Sequence, residues 1–324
     1  MRYRLMSSFL MTTVVLMGTT VSALAQNYPS KPIRFIIPFP PGGPTDLMGR
    51  IAGDRIARAW NIQVVADNRA GAGGNIGSEL CAKALPDGYT MCMMTAAQSI
   101  SPAIYTKLGF DPIKDFSHIT LMAILPSMLT AHPTLPVKTV KDVIALAKTS
   151  PGQLIYASTG NGSSPHMLME MFSAMAGVKM VHVPYKGQAA AVIDQIAGQI
   201  QIAFNTAATI LPHVKAGKLK PIAISSHQRF PPMPNLPTVD EGGIKGFEGS
   251  SWQSVVMPAH TPREIVTKVY QELSAMLKSQ EVRDRFLAQG AFASGMPPDE
   301  FVAFVKSEIS KWAKVAKSAN IRLD

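Results

Sequence analysis

Two segments of the chain share one pattern: an apolar strand, a glycine-rich loop and a proline that opens a helix. The first runs from Ile33–Ile37 into Pro38–Asp46, and the second runs from Leu154–Ala157 into Ser158–His166. The first backbone N–H groups of a helix have no partner within the helix, so a helix start that follows glycines binds anions readily. Two such half-sites in one chain predict a clamp that closes on a small carboxylate.

The beginning of the chain has the composition of a secretory signal peptide. Arg2 and Arg4 form a short basic region, Leu5–Val21 is mostly apolar, and Ala23–Ala25 is a small-x-small cleavage signal. A retained membrane anchor is the alternative, but the apolar stretch is short and contains Ser and Thr. We therefore expect residues 1–25 to be cleaved and the mature chain to remain outside the membrane.

The charge balance is mildly basic but does not indicate nucleic-acid binding. The chain carries 31 Lys and Arg against 21 Asp and Glu. The basic residues are dispersed, whereas nucleic-acid binding requires a basic stripe interleaved with exposed aromatic side chains. A mildly positive surface fits the steering of anionic solutes, although most of the lysines are expected to form a solvated face. We expect no nucleic-acid partner.

The cysteines allow two interpretations. Cys81 falls on a predicted helix and Cys92 on the strand after it, with the turn Pro86–Gly88 between them. Export places them in an oxidising compartment, and their spacing lets them meet. The pair is therefore either a disulfide or two small core residues.

Predicted strands and helices alternate along the chain, which indicates an α/β fold with parallel strands flanked by helices. The mature length exceeds one comfortable core, so two domains are expected. Ile62–Ala66 is predicted as the second strand. Ile119–Ala131 is a strand long enough to cross between domains, and the alternation starts again near Leu135.

The first glycine loop has a binding and a structural interpretation. Gly42 and Gly43 either let the backbone approach a ligand or serve only a tight turn. Asp46 would repel an anion, and a carboxylate in a first helical turn is stabilised by the helix dipole. We therefore favour a structural or water-organising role for Asp46.

The second loop offers more hydrogen-bond donors. Gly160–Gly162 supply backbone N–H groups, Ser163 supplies a hydroxyl, and Ser164 is predicted as the N-cap of the following helix. The N-cap role does not exclude ligand binding by its neighbours. His166 either packs structurally or touches the ligand.

Catalytic and cofactor motifs are absent from the sequence. Gly71–Gly77 approaches a dinucleotide fingerprint, but Ile76 stands where the third glycine is required. No lysine follows the loops as in a P-loop, no nucleophile elbow occurs, and the histidines lack metal-type spacing. We expect no cofactor, no metal and no enzymatic activity. A secreted hydrolase using Ser163 or Ser164 with His166 is the less favoured alternative, because no acid partner is apparent.

Several motifs in a fixed order resemble one family over essentially the whole mature chain. They are Pro38–Asp46, Asn68–Gly77, Pro86–Thr90, His182–Gly187 and Gly246–Trp252. Together they resemble the Bug-type solute receptors of tripartite tricarboxylate transporters. The resemblance implies a type II-like periplasmic binding protein whose two α/β domains are joined by crossover strands. Each lobe would be a mixed, mainly parallel sheet flanked by helices.

The resemblance also implies where the lobes and the ligand lie. Residues 26–126 and 251–324 would form one lobe, residues 127–250 the other, with the ligand in the cleft between them. The ligand carboxylate would be held between the two glycine loops, partly through ordered waters. The implied ligand-binding residues are Phe39, Gly42, Gly43, Asp46, Thr95, Ala96, Gln98, Gly160, Gly162, Ser163, Ser164, His166, Asn205 and Thr206.

The implied function is that of a monomeric periplasmic receptor. It would capture a small organic carboxylate (a di- or tricarboxylate, an amino acid or an aromatic carboxylate) and deliver it to membrane permease subunits. A sensor subunit that binds the same ligand and docks to a membrane kinase is the alternative. The motifs support a carboxylate and leave the rest of the solute open.

Overall fold

The computed structural model describes residues 28–185, 187–288 and 290–323, without the side chain of Ala208. The predicted signal peptide, residues 1–25, lies outside the described residues. Strands and helices alternate as expected. The strands are β1 (Ile33–Ile37), β2 (Val64–Asn68), β3 (Thr90–Thr95), β4 (Phe116–Ala131), β5 (Ile155–Ser158), β6 (Val181–Pro184), β7 (Ile202–Thr206), β8 (Lys220–Ile224), β9 (Ser250–Pro258) and β10 (Phe292–Met296). The α-helices are α1 (Pro44–Trp60), α2 (Asn75–Ala82), α3 (Ala96–Ile104), α4 (Val140–Thr149), α5 (Ser164–Ala176), α6 (Gln188–Ile196), α7 (Ala207–Lys215), α8 (Arg263–Lys278), α9 (Gln280–Ala288) and α10 (Pro298–Ala319).

The strands form one mixed sheet in the order β2-β1-β3-β9-β4-β7-β5-β6, with β8 and β10 also pairing with β4. The outer strands β2, β1 and β3 pair in parallel, as do β6, β5 and β7. The long strand β4 joins these two halves. It pairs antiparallel with β9 over Phe116–Pro126 and with β7 over Ser127–Ala131. The predicted mixed α/β fold with crossover strands is confirmed.

The second strand lies two residues later than predicted. Asn61 ends α1 in the left-handed conformation, with φ of 51°. The residues that follow pair Val64 with Ile33 and Asn68 with Ile37. The pairing partner, rather than the local apolar run from Ile62, therefore sets the strand's bounds.

Alternating strand residues fill separate cores on the two faces of the first half of the sheet. Phe35 and Met93 face one core, together with α1 and α8. Ile36 and Met94 face the opposite core, together with α10. This period of two is expected for strands covered on both sides. The second half of the sheet has a core of its own around Tyr156, between strands β4, β5 and β7 and helices α4 and α5.

The last helix, α10, contributes to the cores of both halves. Phe301 and Val305 pack with Ile36 and Trp252. Two turns later on the same face, Trp312 packs in the core around Tyr156. Between them Glu308, which is buried, accepts hydrogen bonds from the indole N–H groups of Trp252 and Trp312, each at 3.1 Å. The helix is thereby hydrogen-bonded to Trp252 near the start of β9, a central strand of the sheet.

Candidate functional site

A cavity of about 450 Å³ opens where the two halves of the sheet meet. Both glycine-loop helices, the crossover strands and the end of α3 contribute to its walls. Its lining residues are Phe39, Pro44, Thr45, Gly73, Thr95, Ala97, Ser101, Ile104, Tyr105, Leu125, Ser127, Thr159, Gly160, Asn161, Gly162, Ser163, Ser164, Pro165, Gln188, Thr206, Ser251 and Gln253. The cavity is large enough for a small organic solute, since ligand pockets begin near 300 Å³.

Five helices begin at this cavity. The starts of α1 and α3 contribute Thr45 and Ala97, and the starts of α5 and α6 contribute Ser164 and Gln188. Thr206, which precedes α7, completes the set. A helix start presents the positive end of the helix dipole and backbone N–H groups without an intrahelical partner, although at α3 the Ala97 N–H donates to the Thr95 hydroxyl. The cavity therefore favours a bound negative charge even where its lining side chains are neutral.

The second glycine loop lies directly on the cavity. Gly160 and Gly162 both have positive φ, at 128° and 72°, so the loop requires residues without a Cβ here. The N–H of Gly162 donates to Nδ1 of His166 at 3.0 Å, and the Ser163 hydroxyl donates to the Gly160 carbonyl at 2.7 Å. The N-cap position is Ser163, not Ser164 as predicted, because the helix already includes Ser164.

His166 lies behind the loop rather than at the cavity surface. It is buried, and its ring stacks on that of His182 with centroids 4.0 Å apart. Burial, with the neighbouring imidazole, lowers the pKa of His166 to about 3. Burial also lowers the pKa of His182 to about 4. Both rings are therefore neutral at physiological pH, and His166 Nδ1 is free to accept the Gly162 N–H.

In the first glycine loop Asp46 is turned away from the cavity. It is buried and accepts hydrogen bonds from the Gly42 N–H, Arg50 and Asn68, at 2.9 to 3.0 Å. Burial alone would raise the pKa of Asp46, but these hydrogen bonds and the Arg50 charge outweigh it and hold the pKa near 2. The structural role favoured from the sequence agrees with this geometry. Gly42 and Gly43 are not among the lining residues, whereas Phe39 is.

The segment after β3 divides between the cavity and the interior. Thr95 lines the cavity and caps α3 in a capping box, in which its backbone N–H and hydroxyl both donate to Gln98 Oε1 at 2.9 Å. Gln98 is fully buried by this pairing, and Ala96 is buried beside it. Neither of them lines the cavity, whereas Ala97 does.

Asn205 faces the interior of the second half. Its amide donates to Thr130 Oγ1 at 3.0 Å and to Gln195 Oε1 at 2.9 Å. The next residue, Thr206, lines the cavity. This alternation follows from the period of two along β7, which places neighbouring side chains on opposite faces.

Three polar side chains at the cavity have a buried atom without a hydrogen-bond partner in the described structure. They are Ser164 at Oγ, Gln188 at Nε2 and Gln253 at Oε1. Buried polar atoms are nearly always paired in native proteins, and each unpaired one is unfavourable. The three side chains line the cavity, so a solute bound there lies next to these unpaired groups.

The sequence interpretation missed the lining residues supplied by the crossover strands and by the end of α3. The missed strand residues are Leu125, Ser127, Ser251 and Gln253, and Tyr105 was missed at the end of α3. A usable signal was present. Ser127 is a polar residue in the mostly apolar strand β4, and Gln253 is a large polar residue in β9. Polar side chains are usually exposed, so a polar residue in a buried strand is informative.

The two cysteines form a disulfide, with Cα atoms 6.3 Å apart, between α2 and β3. The two serines proposed as nucleophiles are not hydrogen-bonded to His166 in the described residues: Ser163 donates to a carbonyl, Ser164 Oγ has no partner, and His166 accepts from an amide. The serine–histidine hydrogen bond of this loop joins Ser158 Oγ to His182 Nε2 at 2.6 Å. Within the described ranges no cluster of His, Cys, Asp and Glu has metal-binding geometry.

Every helix in the described part of the chain is too short or too polar to cross a membrane.

Comparison with known proteins gives consistent matches along the chain. The family described as tripartite tricarboxylate transporter family receptor matches residues 48–321. The chain is 32% identical over 308 residues to protein BugT of Bordetella pertussis, covering 94% of each chain. It is similar to the solved structure of R. palustris Rpa4515 with adipate, with TM-score 0.82 and 34% identity over 91% of this chain and 99% of that one. It is also similar to MatC from Rhodopseudomonas palustris with bound malate, with TM-score 0.78 and 28% identity over 89% and 99%.

Proposed function

The chain belongs to the tripartite tricarboxylate transporter receptor family, a family of periplasmic solute-binding receptors rather than enzymes, and we propose that its solute is a small organic carboxylate. The protein captures this carboxylate in the periplasm, after cleavage of its signal peptide. It then delivers the solute, as a monomer, to the permease subunits of a tripartite transporter.

The observation that carries the proposal is the convergence of helix starts on one cavity. A carboxylate accepts several hydrogen bonds, and first-turn N–H groups supply donors of fixed direction at the positive end of the dipole. Ser164 Oγ and Gln188 Nε2 add two buried donors that have no partner in the described structure. A carboxylate has about four acceptor sites, so it can pair with several of these donors at once.

Two relatives of the same fold support the choice of ligand class. Rpa4515 is described with adipate and MatC with bound malate. Both solutes are small and carry carboxylates. The match covers 99% of each relative's chain, so the similarity extends over the whole of both proteins.

We further propose that residues 26–126 with 251–324, and residues 127–250, are the two lobes and that ligand binding closes them. Ile104 and Gly162 come from different lobes in this division, and both line the cavity. The Ile104 side chain lies so close to Gly162 that a Cβ there would approach Ile104 Cδ1 to 2.3 Å. Closure then bends β4 and β9, the strands that connect the lobes.

Calorimetric titration of refolded, ligand-free protein tests the proposal. The panel contains adipate, malate, citrate, glutamate and benzoate, and native mass spectrometry of freshly purified protein identifies any solute that it already carries. We expect at least one carboxylate to bind. Ser164→Ala should weaken that binding about tenfold, since a hydrogen bond to a charged group contributes roughly 1.5 kcal/mol.

The matched control is Ser307→Ala, which removes an exposed hydroxyl on α10 whose only role is a hydrogen bond to the Phe304 carbonyl. It should bind like the parent. If the folded protein binds none of the carboxylates and carries none when purified, the proposed ligand class is wrong. Co-purification of permease subunits with the loaded receptor tests delivery.

A further inference from the structure

One face of the crossover strands forms the floor of the cavity. Gln253 on β9 pairs with Thr95 on β3, and Ser251 pairs with Leu125 on β4. Paired residues of neighbouring strands have side chains on the same face, and so do residues two apart on one strand. All four of these residues line the cavity. On this floor the Gln253 amide therefore lies near Thr95, which carries a hydroxyl, and Leu125, which is apolar.

The Gln253 amide is buried without a protein partner for its oxygen. The residue is 4% exposed, and its Oε1 has no hydrogen-bond partner in the described structure. Thr95, its neighbour across the strands, gives its own hydroxyl proton to Gln98 Oε1. The Thr95 hydroxyl proton is therefore donated to Gln98 and not to Gln253.

A primary amide combines one acceptor oxygen with two N–H donors. As the amide is placed, the described protein offers its oxygen no donor, so a donor has to come from the solute. A second carboxylate of the solute only accepts hydrogen bonds at neutral pH, so it pairs with the N–H groups and leaves the oxygen unpaired. An apolar group leaves both unpaired. A hydroxyl or a carboxamide donates to the oxygen and can also accept from the nitrogen.

We propose that Gln253 is a specificity-determining residue that selects carboxylates whose second polar group is a neutral hydrogen-bond donor, over dicarboxylates of the same length. The proposal rests on the proposed function, because it assumes that a carboxylate is bound at the helix starts. The apolar side chains of Leu125, Ile104 and Phe39, which also line the cavity, contact the carbon chain between the two polar ends.

Two length-matched series test the inference by calorimetric titration. One contains succinate, succinamate and 4-hydroxybutyrate, and the other contains adipate, adipamate and 6-hydroxyhexanoate. We expect the amide or hydroxyl member of at least one series to bind about tenfold tighter than its dicarboxylate, the usual effect of one buried unpaired polar atom. Gln253→Met, of similar volume but apolar, should reduce this ratio to about twofold or less. The control Gln199→Met, at an exposed site, should leave the ratio unchanged.

The outcomes separate the inference from the proposed function. A parent protein that binds the dicarboxylate of each series as tightly as its neutral partners, or a Gln253→Met variant that keeps the parent ratio, overturns the inference. In both cases carboxylate binding itself stands. Binding of no member of either series also overturns the inference, while the wider panel decides the proposed function. Thermal unfolding of each variant confirms that it is folded.

Discussion

Replacing Gly162 with alanine should weaken ligand binding in addition to destabilising the unliganded protein. Gly162 has φ of 72°, and a Cβ at this position would lie 2.3 Å from Ile104 Cδ1 and 3.1 Å from Leu323 Cδ1. The left-handed conformation costs alanine roughly 1–2 kcal/mol. Ile104 is buried, so moving its terminal methyl group by more than an ångström costs a further 1–3 kcal/mol or so, as in other overpacked sites.

These two costs act on different states of the protein. The backbone cost applies whenever the loop is folded. On the proposed division into lobes, the collision with Ile104 applies to the closed arrangement, in which Ile104 packs into the core around Tyr156 of the other lobe. About 2 kcal/mol of the penalty therefore falls on binding, which corresponds to a loss of affinity of roughly thirtyfold.

Gly177 provides the matched control. It ends α5 with φ of 64°, and a Cβ there would meet no atom within 4 Å. Gly177→Ala carries the same backbone cost without a collision and without contact with the cavity. Both variants are titrated with the carboxylate that binds the parent most tightly, and their unliganded melting temperatures are compared.

We expect similar melting temperatures for the two variants, and weaker binding in Gly162→Ala only. Adding Ile104→Val, which removes the colliding methyl group, should restore most of the affinity of Gly162→Ala. If Gly162→Ala binds as tightly as Gly177→Ala, the close approach of the loop to Ile104 does not contribute to closure, and the argument is refuted.

Acidification should destabilise the protein partly through His166, whose folded pKa of about 3 lies below the usual 6.5 of the unfolded chain. This stability is present above pH 6.5 and is lost as the pH falls towards 3, by about 2 kcal/mol at pH 5. In urea unfolding, the loss between pH 7 and pH 5 should be smaller by that amount in His166→Asn, which cannot titrate; an equal loss contradicts the assignment. The Cys81–Cys92 disulfide closes a loop in the unfolded chain and so restricts its conformational freedom. Reducing the disulfide should therefore lower the free energy of unfolding by about 3 kcal/mol. A Cys81→Ala, Cys92→Ala double variant should not respond to reductant, and a parent that unfolds equally with and without reductant contradicts the expectation.

The local patterns predicted the order of the elements well, because each depends on neighbouring residues. The strand–glycine loop–helix units appear at β1 with α1 and at β5 with α5, and both helices begin at the cavity. The crossing strand was expected from Ile119 and begins at Phe116. These features follow from apolar runs, glycines and prolines that are contiguous in the sequence.

The direction in which individual side chains point could not be predicted in the same way. Asp46 turns to Asn68, which is distant in sequence, and Asn205 turns to Thr130 and Gln195. Gln253 reaches the cavity only because β9 lies between β3 and β4 in a particular register. Non-local pairing decides each of these cases, and a single sequence does not encode it in any local signal. The full set of ligand-binding residues accordingly remains a prediction for mutagenesis.

The last helix has a consequence for how the chain is made. Because α10 supplies Phe301 to one core and Trp312 to another, neither half of the molecule can complete its packing while the chain is still being synthesised. A nascent chain that lacks its last 25 or so residues has neither Glu308 nor Trp312, so the indole N–H of Trp252 has no acceptor there. Complete packing of the two cores therefore waits for the end of translation. Such a delay keeps the chain unfolded for longer, which suits a protein predicted to cross a membrane through a narrow export channel before it folds.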